Sequence, residues 1–450
     1  MKSPQKIRSF YFIFFISTCI ILLTTIFPIY SDVKTPPDRE TSFPVTQTPS
    51  QIVLTMTETP KTSITIQWST SPEVKECIVE WHKKSTQNNE QIIKTPANFI
   101  SIIDPPLKNN PEIYRWFVTL KSLEPGTTYE YRIGNSSQDI WSHWYTFKTE
   151  PLQTQSFSFI YLGDAQNGFE EWGKLLKTSV EKCPDCSFIL MAGDLVNRGN
   201  ERDDWDAFFH YSDNVFAQYP IIPTIGNHEY KSNPLLPKMY LDYFVLPQNG
   251  PTNITNEFCY SLTYSNAQFI ILNGNHNPEH QKPWLEQQLS ESSSTWKFLL
   301  FHQPLYSSAP KRDNRHLKNA WLPLIDQYHV DMVFQGHDHS YWRTYPLKND
   351  QKVSSPSEGT YYVISFSGTK AYEQQEKTDI IETAFTKIPT YQIITIETGT
   401  KNRLIYRSFD IEGNQKDEVI INKPALSKNL HRENNSIFSL AKDELFTYVF

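Results

Sequence analysis

Two aspartates, an asparagine and three histidines, each just beyond a short apolar run, are the side chains best suited to hold metal ions. They lie in Gly163-Asp164, Gly193-Asp194, Gly226-Asn227-His228, His302 and Gly336-His337-Asp338-His339. Carboxylate, amide and imidazole without thiolate suit Zn, Mn, Fe or Mg rather than a soft metal. One carboxylate between two ions is a natural bridge, and His337 and His339 can each face a different ion. Two ions roughly 3.5–4 Å apart hold both the attacking and the phosphoryl oxygens of an in-line displacement. The chemistry implied is metal-dependent hydrolysis.

The elements that must position these groups are legible as strands. Phe157 to Leu162 precedes Asp164, Phe188 to Ala192 precedes Asp194, and Ile221 to Ile225 leads into Asn227. Phe298 to Phe301 precedes His302, and Met332 to Phe334 precedes His337. Near-continuous apolar runs of this length read as strands buried on both faces. A ligand beyond each strand sits at the carboxyl edge of the sheet, where α/β proteins bind their ligands. Asp164 and Asp194 are one β-α-β step apart, so they end neighbouring strands.

Between the strands, apolar residues recur at helical intervals: Phe169, Trp172, Leu175 and Leu176, then Trp205, Phe208 and Phe209. Trp284, Leu285 and Leu289 mark a third helix, and Leu317, Trp321, Leu324 and Ile325 a fourth. Strands alternating with helices predict a layered α/β domain over residues 155–424. Its later strands, Tyr361 to Phe366, Tyr391 to Ile396 and Arg403 to Phe409, lack long intervening helices and predict an antiparallel end.

Residues 51–150 read as an all-β unit. Ser63 to Trp68 and Tyr129 to Ile133 alternate apolar with polar, the pattern of half-buried antiparallel strands, and Pro125-Gly126 marks a turn. Residues 32–50, with Pro36, Pro37, Pro44 and Pro49, read as an extended, solvated linker. Residues 425–450 show no motif and read as a C-terminal tail.

Lys2, Lys6 and Arg8 followed by the apolar stretch Phe10 to Ile29 make residues 1–31 a targeting segment. As a helix it spans roughly 30 Å, so it reads as a cleaved signal peptide or as a membrane anchor that tethers the chain. Either option places the rest outside the cytoplasm. Cys183-Pro-Asp-Cys186 fits a local disulfide in an oxidising compartment, since no second pair completes a zinc site. The balance of 42 basic against 49 acidic residues, with no basic run, argues against nucleic acid as a partner.

These motifs, in this order, resemble the calcineurin-like metallophosphoesterases, and within them the purple acid phosphatases. Further matches are Pro304-Leu305-Tyr306-Ser307-Ser308 after His302 and Ser340-Tyr341-Trp342-Arg343-Thr344-Tyr345-Pro346 after His339. The stretch before the α/β region resembles a fibronectin type III domain through Trp68, the run Leu123 to Tyr131, and Tyr145 to Thr149. The resemblance implies a β-sandwich followed by an α/β/β/α sandwich, with two divalent ions (Zn, Mn or Fe) as cofactors. It makes Asp194 the bridging ligand, with Asp164 and His339 on one ion and Asn227, His302 and His337 on the other. His228 is then implied near the leaving group, and His316 in a loop that contacts substrate.

The chain departs from the purple enzymes at two positions. Gln166 stands where they have a Gly, and Asn197 where they have a Tyr ligand, so the iron-binding phenolate is missing. Gln166 or Asn197 is then a neutral oxygen ligand, or water takes the place. The run Gly193 to Gly199 is instead similar to that of the protein serine/threonine phosphatases, which makes Arg198 a phosphate-clamp candidate. The expectation is an exported enzyme that cleaves phosphomonoesters by attack of a metal-bound hydroxide. A phosphodiesterase or nucleotide hydrolase on the same core is the alternative, and a surface binding protein with a vestigial metal site is another.

Overall fold

The computed structural model describes residues 36–85, 91–231, 233 and 235–424. The targeting segment and C-terminal tail read from the sequence lie outside the described residues. The body begins at Glu40.

Nine strands come first: β1 (Ser50–Thr55), β2 (Ile64–Thr70), β3 (Ile78–Lys83), β4 (Ile93–Pro96), β5 (Asn98–Ile103), β6 (Glu112–Leu120), β7 (Thr128–Asn135), β8 (Ile140–Trp141) and β9 (Tyr145–Lys148). They form a sandwich. One sheet runs β1-β2-β6-β5, and the other runs β4-β3-β7-β8 with β9 also on β7. Ile64, Ile66, Trp68, Trp116, Tyr129, Tyr131 and Phe147 fill the space between them.

The α/β part contains β10 (Phe157–Leu162), α1 (Phe169–Lys182), β11 (Ile189–Met191), α2 (Arg202–Tyr211), β12 (Ile221–Pro223), α3 (Lys238–Tyr243), β13 (Tyr260–Tyr264) and β14 (Ala267–Ile271). Then come α4 (Pro278–Ser290), β15 (Trp296–Leu300), α5 (Arg315–Gln327), β16 (Met332–Gln335), β17 (Tyr341–Thr344), β18 (Leu347–Lys348) and β19 (Gln351–Lys352). It closes with β20 (Tyr361–Ile364), β21 (Ile381–Phe385), β22 (Tyr391–Glu397), β23 (Asn402–Phe409) and β24 (Gln415–Lys423).

Local sequence explains the helices. Trp172, Leu175, Leu176, Ser179 and Val180 put one face of α1 in the core, with Glu170 and Glu171 in its first turn and Lys182 in its last. Pro278 opens α4 behind Asn277, whose side chain accepts the Glu279 amide.

Two sheets make the centre of this part. Parallel β10, β11 and β12 join antiparallel β22, β23 and β24, and the second sheet runs β13-β14-β15-β16-β20-β17-β21. Phe159 and Phe188 meet Phe269 across the gap at ring distances of 5.3 and 5.2 Å. Phe298 and Phe334 close the same cluster around Phe159. The antiparallel end expected from the late strands is present in β22–β24.

The sandwich is not a separate bead. β1 pairs in parallel with β12, Thr55 opposite Ile221, so one sheet of the sandwich continues the β10–β12 sheet into ten strands. That junction changes the reading of the alternating strands. The polar face of Ser63–Trp68, expected in solvent, is covered: Gln67 accepts the Val245 amide at 2.7 Å, and on the neighbouring β6 the Arg115 guanidinium donates to the Tyr243 carbonyl at 3.1 Å. Charge and amide groups there replace water with backbone partners.

The expected solvated linker also differs. From Thr41 it lies on the body, because Asn109 and Asn110 satisfy its backbone as a neighbouring strand would. Thr41 and Val45 exchange paired hydrogen bonds with the Asn109 and Asn110 side chains. Phe43 stacks on His210 at 3.8 Å.

Candidate metal centre

Each ligand-bearing loop leaves a strand edge under tight steric control. Gly193 has φ +82°, a left-handed conformation that favours glycine, and it turns the chain into Asp194. A Cβ on Gly226 would come within 2.2 Å of Asp194 Oδ1. Asp194, His337 and His339 themselves hold positive φ of 51°, 75° and 44°. Non-glycine residues adopt that region at a cost, and such strain clusters at functional sites.

The side chains converge. Asp194, His302 and His337 form one group that could hold an ion, and Asp164, Asp194 and His339 form a second, with Asp194 common to both. His302 Nε2 is 3.1 Å from Asp194 Oδ2, 3.2 Å from Asn227 Oδ1 and 3.1 Å from His337 Nδ1. His302 Nδ1 donates to the Ala192 carbonyl at 2.7 Å, and His339 Nδ1 to the Lys370 carbonyl at 2.9 Å. Each bond turns the opposite nitrogen, Nε2, toward the cluster.

Electrostatics fit cation binding. Asp164 is held well above the usual carboxylate range, by burial first and then by the Asp194 charge, with His302 opposing. Burial works against a charged His302, yet Asp194 and Asp164 beside it push the imidazole up to about 9. His337 and His339 are pushed down to about 2 and about 4, mainly by burial. They are therefore neutral imidazoles, the form that binds metal, whereas His302, itself the cation between Asp194 and Asp164 here, would give up its proton to an ion taking that place. Asp164 Oδ1 and Gln166 Oε1 are buried and have no hydrogen-bond partner. Buried polar atoms are ordinarily paired, so Asp164 Oδ1, 3.9 Å from both His302 Nε2 and His339 Nε2, fits a cation between them.

The neutral substitutes sit differently. Gln166 is fully buried and its amide nitrogen lies 2.8 Å from Asp194 Oδ2 and 3.1 Å from His339 Nε2. Asn197 is at the rim, where its amide oxygen accepts from Lys231 at 3.4 Å and its carbonyl from His228 Nδ1 at 2.7 Å. His228 thus turns Nε2 inward, 3.8 Å from Asp194 Oδ2, while burial lowers its pKa.

Two other expected site residues are not brought into the cluster. The Arg198 guanidinium is engaged by Glu201, Asp203 and Asp204 at 2.6, 3.0 and 2.5 Å. Three carboxylates more than neutralise one guanidinium, so the phosphate clamp expected of Arg198 is here an ion-pair anchor. His316 is exposed on the first turn of α5, beside the charge of Asp313.

Two residues matter that the motifs did not assign. Glu229 is fully buried and accepts the backbone amides of Asp194, Leu195 and Gly226 at 3.0, 2.8 and 2.7 Å. Asp338, between the two histidines, accepts from Ser307, the Ser308 amide and Arg312, and so ties the loop after β15 to the ligand turn.

The family model described as calcineurin-like phosphoesterase matches residues 157–341, and the one described as purple acid phosphatase, N-terminal domain, matches residues 49–149. Residues 157–341 thus match the calcineurin-like phosphoesterase family, directly behind a stretch that matches the N-terminal domain of purple acid phosphatases. An uncharacterised Mycobacterium tuberculosis protein is 26% identical over 321 residues, 61% of this chain and 60% of the relative. A phosphoenolpyruvate phosphatase of Allium cepa is 28% identical over 278 residues, 56% of this chain and 55% of the relative. A purple acid phosphatase of Glycine max is 28% identical over 254 residues, 51% of this chain and 53% of the relative. The chain thus spans between half and two thirds of the length of these relatives. In fold, it is similar to the purple acid phosphatase of yellow lupin seeds, with a TM-score of 0.72 at 21% identity over 84% of this chain and 75% of that one.

Proposed function

We propose that this metallophosphoesterase hydrolyses phosphomonoesters outside the cytoplasm, using two divalent ions of Zn, Mn or Fe. The observation that carries the reading is the pair of ligand groups sharing Asp194. Asp194 bridges, Asp164 and His339 hold one ion, and Asn227, His302 and His337 hold the other. Bound there, the ions lower the pKa of water and polarise a phosphoryl oxygen. Water adds its oxygen to phosphorus as the ester P–O bond breaks. His228, protonated on both ring nitrogens, keeps Nδ1–H on the Asn197 carbonyl, gives its Nε2 proton to the departing alkoxide and recovers one from the attacking water. Gln166 holds Asp194 Oδ2 and sits beside His339, where the purple enzymes leave space.

Export is supported by the basic and apolar N-terminal sequence and by the Cys183–Cys186 disulfide, whose Cα atoms are 5.3 Å apart.

The test measures metal content and 4-nitrophenyl phosphate turnover together. Wild type is expected to hold two ions per chain and turn over the ester. Asp194→Ala is expected to lose both. A metal-replete wild type that turns over no phosphate ester defeats the proposal.

A further inference from the structure

The rim of the metal centre carries two lysines that no ligand or proton-transfer role uses. Lys231 ends the turn that begins at Asn227, its amide donating to the His228 carbonyl at 3.2 Å. Its ammonium reaches Asn197, the residue that holds His228. Lys370 belongs to the opposite loop. Ser367 and Gly368 in that loop donate to the Asp164 carbonyl, and the Lys370 carbonyl orients His339.

The two ammonium groups flank the centre, Lys231 3.4 Å from Asn197 Oδ1 on the His228 side and Lys370 beside Tyr372, the ring packed on His339. The Lys231 ammonium is depressed by partial desolvation first and then by the charge of Lys370, while Asp194 acts on it in the opposite sense. Lys370 stands 5.1 Å above the ring of Tyr372, whose own ring is 4.7 Å from that of His339. Neither lysine makes an ion pair with a carboxylate among the described residues. The nearby acid Asp204 is already bound to Arg198. Two like charges held across a rim without a counter-ion repel each other unless an anion joins them.

With a phosphoryl group at the ion site, an ester substituent leaving on the His228 side would meet these ammonium groups. We infer that Lys231 and Lys370 form a subsite for a second anionic group on the substrate, so that the enzyme prefers small phosphate monoesters carrying a carboxylate or similar anion near the ester oxygen. The inference rests on the phosphomonoesterase reading above and adds the substrate class to it.

The test uses the metal-loaded enzyme and three esters of similar size: 2-phosphoglycolate, ethyl phosphate and 2-aminoethyl phosphate. They place a negative, neutral or positive group at the same reach. The quantity read is the ratio of kcat/KM for phosphoglycolate to that for 2-aminoethyl phosphate, which cancels losses common to all three. In Lys231→Gln/Lys370→Gln the ratio is expected to fall about tenfold or more, the scale of two partly exposed charge contacts, chiefly through KM. Lys231→Arg/Lys370→Arg is expected to restore most of it, and added salt to shrink it in wild type. An unchanged ratio in the Gln variant, whatever happens to the absolute rates, overturns the subsite alone. A wild type that turns over none of the three esters overturns the phosphomonoesterase reading and the subsite with it.

Discussion

Glu229 grips the backbone of Asp194. One carboxylate oxygen accepts the Asp194 amide at 3.0 Å and the Gly226 amide at 2.7 Å, and the other accepts the Leu195 amide at 2.8 Å. The glutamate therefore locks together the two loops that deliver the shared carboxylate and Asn227. Glu229→Gln replaces one acceptor oxygen with a donor and sets it against a backbone N–H. The expected result is a loss of roughly 10–100-fold in metal affinity or activity, the usual scale for a residue behind the ligands. Metal content per chain after dialysis against a weak chelator checks it. A variant with wild-type metal retention and turnover would show that the strand ends alone fix the loops.

The clustering of Asp164, Asp194, His302, His337 and His339 was legible because each follows a buried strand, and a buried strand announces itself by its apolar run. Asp164 and Asp194 do end neighbouring strands, with Leu162 opposite Met191. Glu229 was not legible, because accepting backbone amides has no residue-type signature. Its place directly after His228 was the available hint. Arg198 misled for the opposite reason: its motif suggested phosphate, while Glu201, Asp203 and Asp204 a few residues on already supplied its partners. The merger of the sandwich with the β10–β12 sheet rests on β12 meeting β1, a long-range pairing that no local pattern encodes.

His228 gives a prediction that separates chemistry from folding. Its Nδ1 is committed to the Asn197 carbonyl, so only Nε2 can serve a leaving group. An alkoxide needs that proton, whereas 4-nitrophenolate leaves without it. His228→Ala is expected to slow ethyl phosphate hydrolysis by roughly 10²–10⁴-fold, the range for losing a general acid, and 4-nitrophenyl phosphate far less. Initial rates on both esters decide it. Equal losses would mean that the residue only positions Asn197 and its loop.

Metal identity and colour follow from the side chains around His339. Gln166 contributes a neutral amide there, and Asn197 a neutral amide at the rim. Tyr306 and Tyr341 are committed elsewhere, to Asp350 and Asp417 at 2.6 and 2.7 Å. One anionic ligand fewer than the purple pattern leads to the expectation of two divalent ions. Active protein loaded with Mn, Zn or Fe(II) is expected to be colourless by visible absorption. Tyr372, whose ring packs against His339, is the phenol nearest that imidazole among the aromatic contacts. A phenolate band in iron-loaded protein that survives in Tyr372→Phe would contradict both the divalent assignment and this placement.

Asp206 predicts how stability varies with pH, away from the metal ligands. It lies in α2, buried, 3.7 Å from Arg202 and bonded by Gln51 at 2.7 Å. Burial outweighs both partners and raises its pKa from 3.8 to about 6. Between those values the folded protein keeps a proton that the unfolded chain has released. Stability therefore falls as pH rises through this window, and the full cost, on the order of 2–3 kcal/mol, is present above it. Asp206→Asn removes the titration while keeping the shape and a hydrogen-bonding group beside Gln51. The change in melting temperature from pH 4.5 to pH 7.5 is expected to be less unfavourable in Asp206→Asn than in wild type, with the other carboxylates cancelling in the comparison. If the variant instead loses more stability than wild type on going to pH 7.5, Asp206 is ionised in the fold and its attraction to Arg202 outweighs burial.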